Sequence, residues 1–237
     1  MNTKSFPSDR SSTGKAPRVR RWSNPYIERL GSLPELILGT EERELSAEDL
    51  ATLKRRCAET PRLMVELGSG SGSHLIDQAE REPNRLHVGI ELRFKRVVRT
   101  AEKAAERGCR NLLVLRTSSD YVTELFEPKS IEVLYINFPD PWHKKRWRKH
   151  RVLSDESLAR LHTLLKEDGV ISFKTDHREY FEEVVSAAHA SGLYRIEHLS
   201  LNLHASELVT SNVVTEFEGL FLSQNLPIHL LQLRKIG

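Results

Sequence analysis

Leu63-Met64-Val65-Glu66-Leu67-Gly68-Ser69-Gly70-Ser71-Gly72 is the stretch that decides the fold. Its first five residues read as a short buried strand, and three glycines at alternate positions then turn the chain into a helical stretch from Ser73 to Glu82. A strand, a glycine turn and a helix open a nucleotide-binding βαβ unit, where backbone approaches the ligand because side chains are absent. The spacing is Gly-x-Gly-x-Gly, not the Gly-x-Gly-x-x-Gly of the dinucleotide fingerprint, and an acid, Glu66, stands two residues before the first glycine.

Outward from this turn, strands and helices alternate. Leu86 to Glu91 reads as a second strand, ending in Gly89-Ile90-Glu91 ahead of a helix from Arg93 to Arg107. Glu91 lies about 20 residues beyond the glycines, where an acid accepts from two ribose hydroxyls. Leu112 to Leu115 is a third strand, and the polar segment Arg116-Thr117-Ser118-Ser119-Asp120 after it offers backbone and hydroxyl groups to an adenine edge. Ile131 to Phe138 is apolar and β-branched, a fourth strand, and Pro139-Asp140-Pro141 stops it. The two prolines hold Asp140 just past the carboxyl end of a central strand, where open α/β sheets place their chemistry.

A helix capped by Ser154-Asp155-Glu156 is expected to end at Asp168-Gly169, before a fifth strand from Val170 to Phe173 that leads to Lys174-Thr175-Asp176. Glu179 to Ala190 forms a further helix closed by Gly192, Tyr194 to Leu203 alternates like a strand, and Thr215-Glu216-Phe217-Glu218 opens a last apolar stretch to Leu222. On the amino-terminal side, Ser46 to Cys57 suits a short capped helix and residues 25–39 read as irregular. The expected fold class is α/β, with a seven-stranded, mostly parallel sheet closed by a C-terminal antiparallel hairpin with no helix between its two strands.

Charge is unevenly placed. The net charge of +3 combines +5 over residues 1–30 and +6 over residues 143–151 with −8 over the remainder. An acidic body with two basic patches points to a polyanion meeting one face. In the second patch six Lys/Arg follow Asp140 closely, with Trp142 and Trp147 interleaved, which supplies cations for phosphates and indoles for bases. Residues 1–24 have a disorder-like composition and read as a basic arm, either reaching nucleic acid or inert, with residues 25–237 as one domain. Cys57 and Cys109 make no disulfide framework and fit no metal motif, so no metal is expected. The chain shows no membrane-length apolar run and no signal-peptide core, and is expected to be cytoplasmic.

Five motifs carry a family resemblance. The Glu66-to-Gly70 turn, Gly89-Ile90-Glu91, Phe138-Pro139-Asp140-Pro141-Trp142-His143-Lys144-Lys145, Phe173-Lys174-Thr175-Asp176 and Thr215-Glu216-Phe217-Glu218 occur in that order. The glycine turn resembles the first motif of Rossmann-like class I S-adenosylmethionine-dependent methyltransferases, and the whole set resembles tRNA (guanine-N7)-methyltransferases over roughly residues 60 to 225. The resemblance implies S-adenosylmethionine as cofactor, tRNA as partner and methylation of guanine N7, at guanine 46 of the variable loop, without an accessory subunit, as in single-subunit bacterial members. It implies that Glu66, Gly68, Glu91, Ser118 and Asp140 belong to the cofactor site and that Asp140 is catalytic, between cofactor and base. Lys144, Asp176, Thr215, Glu216, Phe217 and Glu218 would line the substrate side. Members often carry Asp or Asn after the third strand; here Ser118 stands there with Asp120 two positions on, and both are candidates for the adenine contact.

Two other functions compete. One is a different S-adenosylmethionine-dependent RNA methyltransferase, because Asn137-Phe-Pro-Asp-Pro-Trp faintly resembles the motif that binds exocyclic amines, although Phe138 and Asp140 interrupt it. The other is a non-catalytic RNA-binding protein on the same fold, which would be expected to have lost Glu66, the glycines or Asp140.

Overall fold

The computed structural model describes residues 24–39 and 44–237; the basic arm read over residues 1–24 lies outside them except for Asn24. Eight strands form one sheet: β1 (Ile37–Leu38), β2 (Leu63–Leu67), β3 (Leu86–Ile90), β4 (Leu112–Leu115), β5 (Ile131–Asn137), β6 (Leu165–Thr175), β7 (Tyr194–Ser200) and β8 (His229–Lys235). Their order across the sheet is β1-β4-β3-β2-β5-β6-β8-β7, parallel except where β8 inserts antiparallel between β6 and β7. β2 and β4 are buried along their whole length, which is why they read as apolar runs, broken in β2 only by Glu66, and not as alternations.

Helices α1 (Pro25–Arg29), α2 (Ala47–Glu59), α3 (Ser73–Arg81), α4 (Phe94–Glu106), α5 (Val122–Leu125), α6 (Asp155–Leu164), α7 (Arg178–Ser191) and α8 (Glu216–Ser223) surround this sheet. On one face α3 and α4 bury Leu75, Val97, Val98 and Ala101 against Met64, Leu112 and Val114. On the other, α2, α6 and α7 bury Leu53, Leu158, Leu161 and Phe181 against Val65, Leu113 and Leu134. The helix starts follow local chemistry, with reciprocal caps of Ser46 with Asp49 and of Ser154 with Ser157. Gly192 ends α7 in the left-handed region, at φ +65°.

The carboxyl end of β2 is a topological switch point. From β2 the chain runs outward through β3 and β4, then returns to β5 on the other side of β2, where Glu66 pairs with Tyr135 and Leu67 with Ile136. The loops after β2 and β5 therefore part there and leave a crevice.

Three expectations need correction. Within residues 25–39, read as irregular, Pro25–Arg29 is a short helix and Ile37–Leu38 is an eighth, edge strand on β4. The helix before β6 ends at Leu164, and Asp168-Gly169 sits inside β6 at a shift of register, with Asp168 at φ +61°. The stretch from Thr215 is a helix, because Thr215 and Glu218 cap each other's backbone N–H groups. The closing antiparallel pair is thus β7 with β8, and a helix does lie between them.

His87, the second residue of β3, gives this core a pH dependence. Its Nε2 faces the carbonyl oxygen of Glu82 at 3.2 Å, while Nδ1 is buried without a partner. Burial pushes its pKa down to about 4. The unfolded chain takes up this proton near pH 6.5, whereas the folded chain does so only near pH 4. The ring's contribution is therefore present above the unfolded value and falls by about 1.4 kcal/mol per pH unit across that window. Urea unfolding between pH 7 and pH 4 is expected to show this loss, and His87→Gln is expected to flatten it.

Candidate active site

The loop after β2 makes one wall. Gly68 and Gly70 take φ +73° and +58°, which side chains with a Cβ avoid, and the turn is tied down by its backbone, with Gly68 and Ser69 N–H donating to the Ile90 carbonyl at 2.8 and 3.0 Å. Gly70 N–H donates to Glu91 Oε2 at 3.1 Å, and Arg93 N–H donates to Glu91 Oε1 at 2.8 Å. Glu91 thereby ties the turn to the end of β3 and keeps further lone pairs for a ligand. Gly89 permits this approach: a Cβ there would stand 2.7 Å from Ser69 Oγ.

Glu66 points from β2 toward the same crevice. Its Oε1 accepts from Asn137 Nδ2 at 2.9 Å and lies 3.2 Å from His74 Nδ1. Its Oε2 is buried with no partner, as are Ser69 Oγ and Asn137 Oδ1. Buried polar groups are normally hydrogen-bonded, so three orphaned atoms on residues lining one cleft fit a polar ligand that supplies donors. An acid among them favours a positively charged ligand end.

The loop after β5 makes the facing wall. Phe138 and Trp142 both have positive φ, +49° and +44°, unusual for bulky residues and costing about 1–3 kcal/mol each. Between them the two prolines hold Asp140, whose Oδ1 accepts the Trp142 N–H at 2.9 Å. The carboxylate remains exposed.

A third wall comes from α8. Lys174, at the end of β6, sends its buried ammonium to Glu218 Oε2 at 2.7 Å and to the carbonyl of Val213 at 2.9 Å. Glu218 also accepts from Asn212 at 2.6 Å and lies 2.6 Å from His204 Nε2. Burial raises the Glu218 carboxyl, but the Lys174 ammonium outweighs that and holds it below its usual range. Burial in turn draws Lys174 below its usual range, against the pull of Glu218. This pair fixes the start of α8, and with it the side chains of Glu216 and Phe217 over the crevice.

The three walls enclose a cleft of about 240 Å³. It brings together Glu66, Gly68, Glu91, Asp140, Thr215, Glu216 and Phe217 from the sequence-based set. It does not gather Ser118, whose hydroxyl caps the turn at Asp120; the neighbouring Ser119 lines the cleft instead. Lys144 stands outside it on the basic loop, 4.8 Å above the Trp147 ring, and Asp176 lies at the end of β6. Glu218 is fully buried and reaches the cleft only through the segment it anchors. Sequence reasoning passed over Asn137, His74 and Arg96 as site residues; only Asn137 gave a signal, as the last residue before the Phe-Pro-Asp-Pro run.

The basic loop is less free than its composition suggests. Arg148 pairs with Glu179 and Glu183, and Arg151 is buried against Glu183, the Pro141 carbonyl and the Tyr180 ring. Lys144, Lys145, Arg146 and Lys149 remain exposed. Among the described residues no cluster of three or more His, Cys, Asp or Glu is placed to hold a metal ion, and no helix is long and apolar enough to cross a membrane.

A family described as putative methyltransferase matches residues 60–231. A bifunctional glycosyltransferase/methyltransferase of Fusobacterium nucleatum is 33% identical over 90% of the chain, which spans 33% of that protein's length. A tRNA (guanine-N(7)-)-methyltransferase of Mycoplasma pneumoniae is 37% identical over 80% of the chain and 90% of its own. The solved structure of the 16S rRNA methyltransferase KamB superposes with a TM-score of 0.60, at 17% identity, over 85% of this chain and 99% of that one. At that identity the likeness is one of fold, the α/β fold of class I methyltransferases with its mostly parallel sheet.

Glu218→Gln leaves the buried Lys174 ammonium without its counter-charge. Urea unfolding is expected to show a loss of about 3–5 kcal/mol, with a second substitution, Lys174→Met, recovering much of it.

Proposed function

We infer that this chain, which belongs to the tRNA (guanine-N(7)-)-methyltransferase family, transfers a methyl group from S-adenosylmethionine to N7 of a guanine in tRNA. The observation that carries the reading is the single cleft in which Glu66 and Glu91 on one side face Asp140, Glu216 and Phe217 on the other, beside a basic rim. The orphaned Oε2 of Glu66 suits the positive methionine end of the cofactor, and Glu91 suits its ribose. Ser119, on the cleft wall, joins Ser118 and Asp120 as a candidate for the adenine edge.

When bound, S-adenosylmethionine supplies a methyl group on a positive sulfur, which leaves as a neutral thioether as N7 gives its lone pair to the methyl carbon. Guanine N7 carries no proton, so no general base is needed and alignment supplies most of the rate. The methylated ring is cationic. Asp140, held by the prolines and the Trp142 N–H, presents a fixed carboxylate to charge that develops only as the bond forms. Phe217 offers the guanine an apolar face, with Arg96 stacked 5.9 Å from its centroid. Lys144 and Asp176 stand on the side from which the RNA arrives.

By the family resemblance the target is guanine 46 of the variable loop, and the protein works in the cytoplasm as one domain over residues 25–237 without an accessory subunit. Asp140→Asn separates charge from geometry, because an amide oxygen still accepts the Trp142 N–H. With purified protein, labelled cofactor and unmodified tRNA, kcat is expected to fall about 100-fold or more, with KM for tRNA within a few-fold of wild type. Full activity in Asp140→Asn would reduce Asp140 to a structural cap.

A further inference from the structure

A second cleft of about 630 Å³ lies between the basic loop and the start of α6, and it touches the first through Leu67, Ser119 and Val152. We propose that this second cleft is a nucleotide subsite, which takes an unstacked base of the RNA next to the methylated guanosine together with its phosphate. The proposal rests on the RNA methyltransferase reading above.

Three observations carry it. The first is an aromatic corner. The Trp142 and Trp147 rings meet edge to face at 6.0 Å and 78°, and His150 lies 5.4 Å from Trp142. Base–aromatic stacking suits such a wall and tolerates any base. The second is charge. Lys149 and Arg160 line the cleft together with the carboxylates of Asp120 and Glu156, yet carry no ion pair among the described residues, unlike Arg148 and Arg151, whose charges are taken up by Glu179 and Glu183. A nucleobase with a phosphate matches that pair of cations, whereas the adenosyl end of the cofactor has no phosphate to offer them.

The third observation is mechanical. The turn that presents Asp140 also sets Trp142, through the 2.9 Å hydrogen bond and the positive φ at Trp142. Phe138 on one side of Asp140 faces the first cleft and Trp142 on the other faces the second. A base seated against Trp142 is therefore in register with one presented to Asp140. The strained turn that holds Asp140 thus also directs the Trp142 indole.

The test uses the full chain with an unmodified tRNA transcript and, separately, S-adenosylhomocysteine by calorimetry. Trp147→Ala is expected to weaken tRNA binding about ten-fold, within the roughly 5- to 150-fold range for one stacked base, with Trp147→Phe recovering most of it. Its salt dependence is expected to stay parallel to wild type, because no charge is removed, whereas Arg160→Ala is expected to lower the salt slope by close to one phosphate contact. S-adenosylhomocysteine affinity is expected to remain within two-fold in both variants. Unchanged tRNA affinity in both variants would overturn the proposal, and so would a loss of S-adenosylhomocysteine affinity, which would assign the cleft to the cofactor. If the wild-type protein methylates tRNA while both variants bind it normally, only the subsite fails. If the wild type forms no methylated guanosine, the reading of the main site fails instead.

Discussion

The ion pair of Lys174 and Glu218 is the contact on which the site depends. It joins the carboxyl end of β6 to the start of α8, residues separated by 44 positions, inside a region closed to water. Two charges buried together are not in themselves a large source of stability. Their value here is geometric, since Glu218 also caps α8 and so decides where Glu216 and Phe217 stand. The sheet supplies the glycine turn and the Asp140 turn at its switch point; this pair brings the third wall to them.

On the proposed reading, Asp140 illustrates how little machinery a methyl transfer to N7 requires. The nucleophile has no proton to lose and the leaving sulfur takes up the bond's electrons without help. What remains is to hold two partners in line and to receive positive charge as it appears on the ring. On that reading, fixed backbone provides the alignment and the carboxylate of Asp140 receives the charge. The prolines and the left-handed residues on either side of Asp140 hold one carboxylate in a place it would rarely visit in a flexible loop. About 1–3 kcal/mol of strain at each of Phe138 and Trp142 is offset by the packing of the loop, including Arg151 under the Pro141 carbonyl.

What the sequence made legible was local. The glycine turn, the strands on either side of it and the proline-bracketed aspartate are each written in consecutive residues, and their chemistry depends on neighbours within a few positions. The reciprocal cap of Thr215 and Glu218 is also local, but the apolar run to Leu222 reads as the closing strand, and the true closing strand, β8, has no place in that reading. Long-range partners were beyond reach. Nothing near Glu218 signals that Lys174 neutralises it, and nothing in the basic loop tells Arg148 and Arg151, which pair with α7, from the lysines that stay in solvent. The third-strand segment was ambiguous for the same reason: Ser118 turns inward to cap, and the side chain that lines the cleft belongs to the next residue.

The central claim concerns one atom of one nucleotide. A ring methylated at N7 is cationic, so reduction followed by mild amine treatment opens it and cuts the strand there, whereas methylation of an exocyclic amine leaves the strand whole. Applied to an unmodified tRNA transcript after incubation with the protein and S-adenosylmethionine, this treatment is predicted to give a single new cut at the variable-loop guanine, absent when cofactor is withheld. Methyl label incorporated into tRNA that resists cleavage would contradict the account.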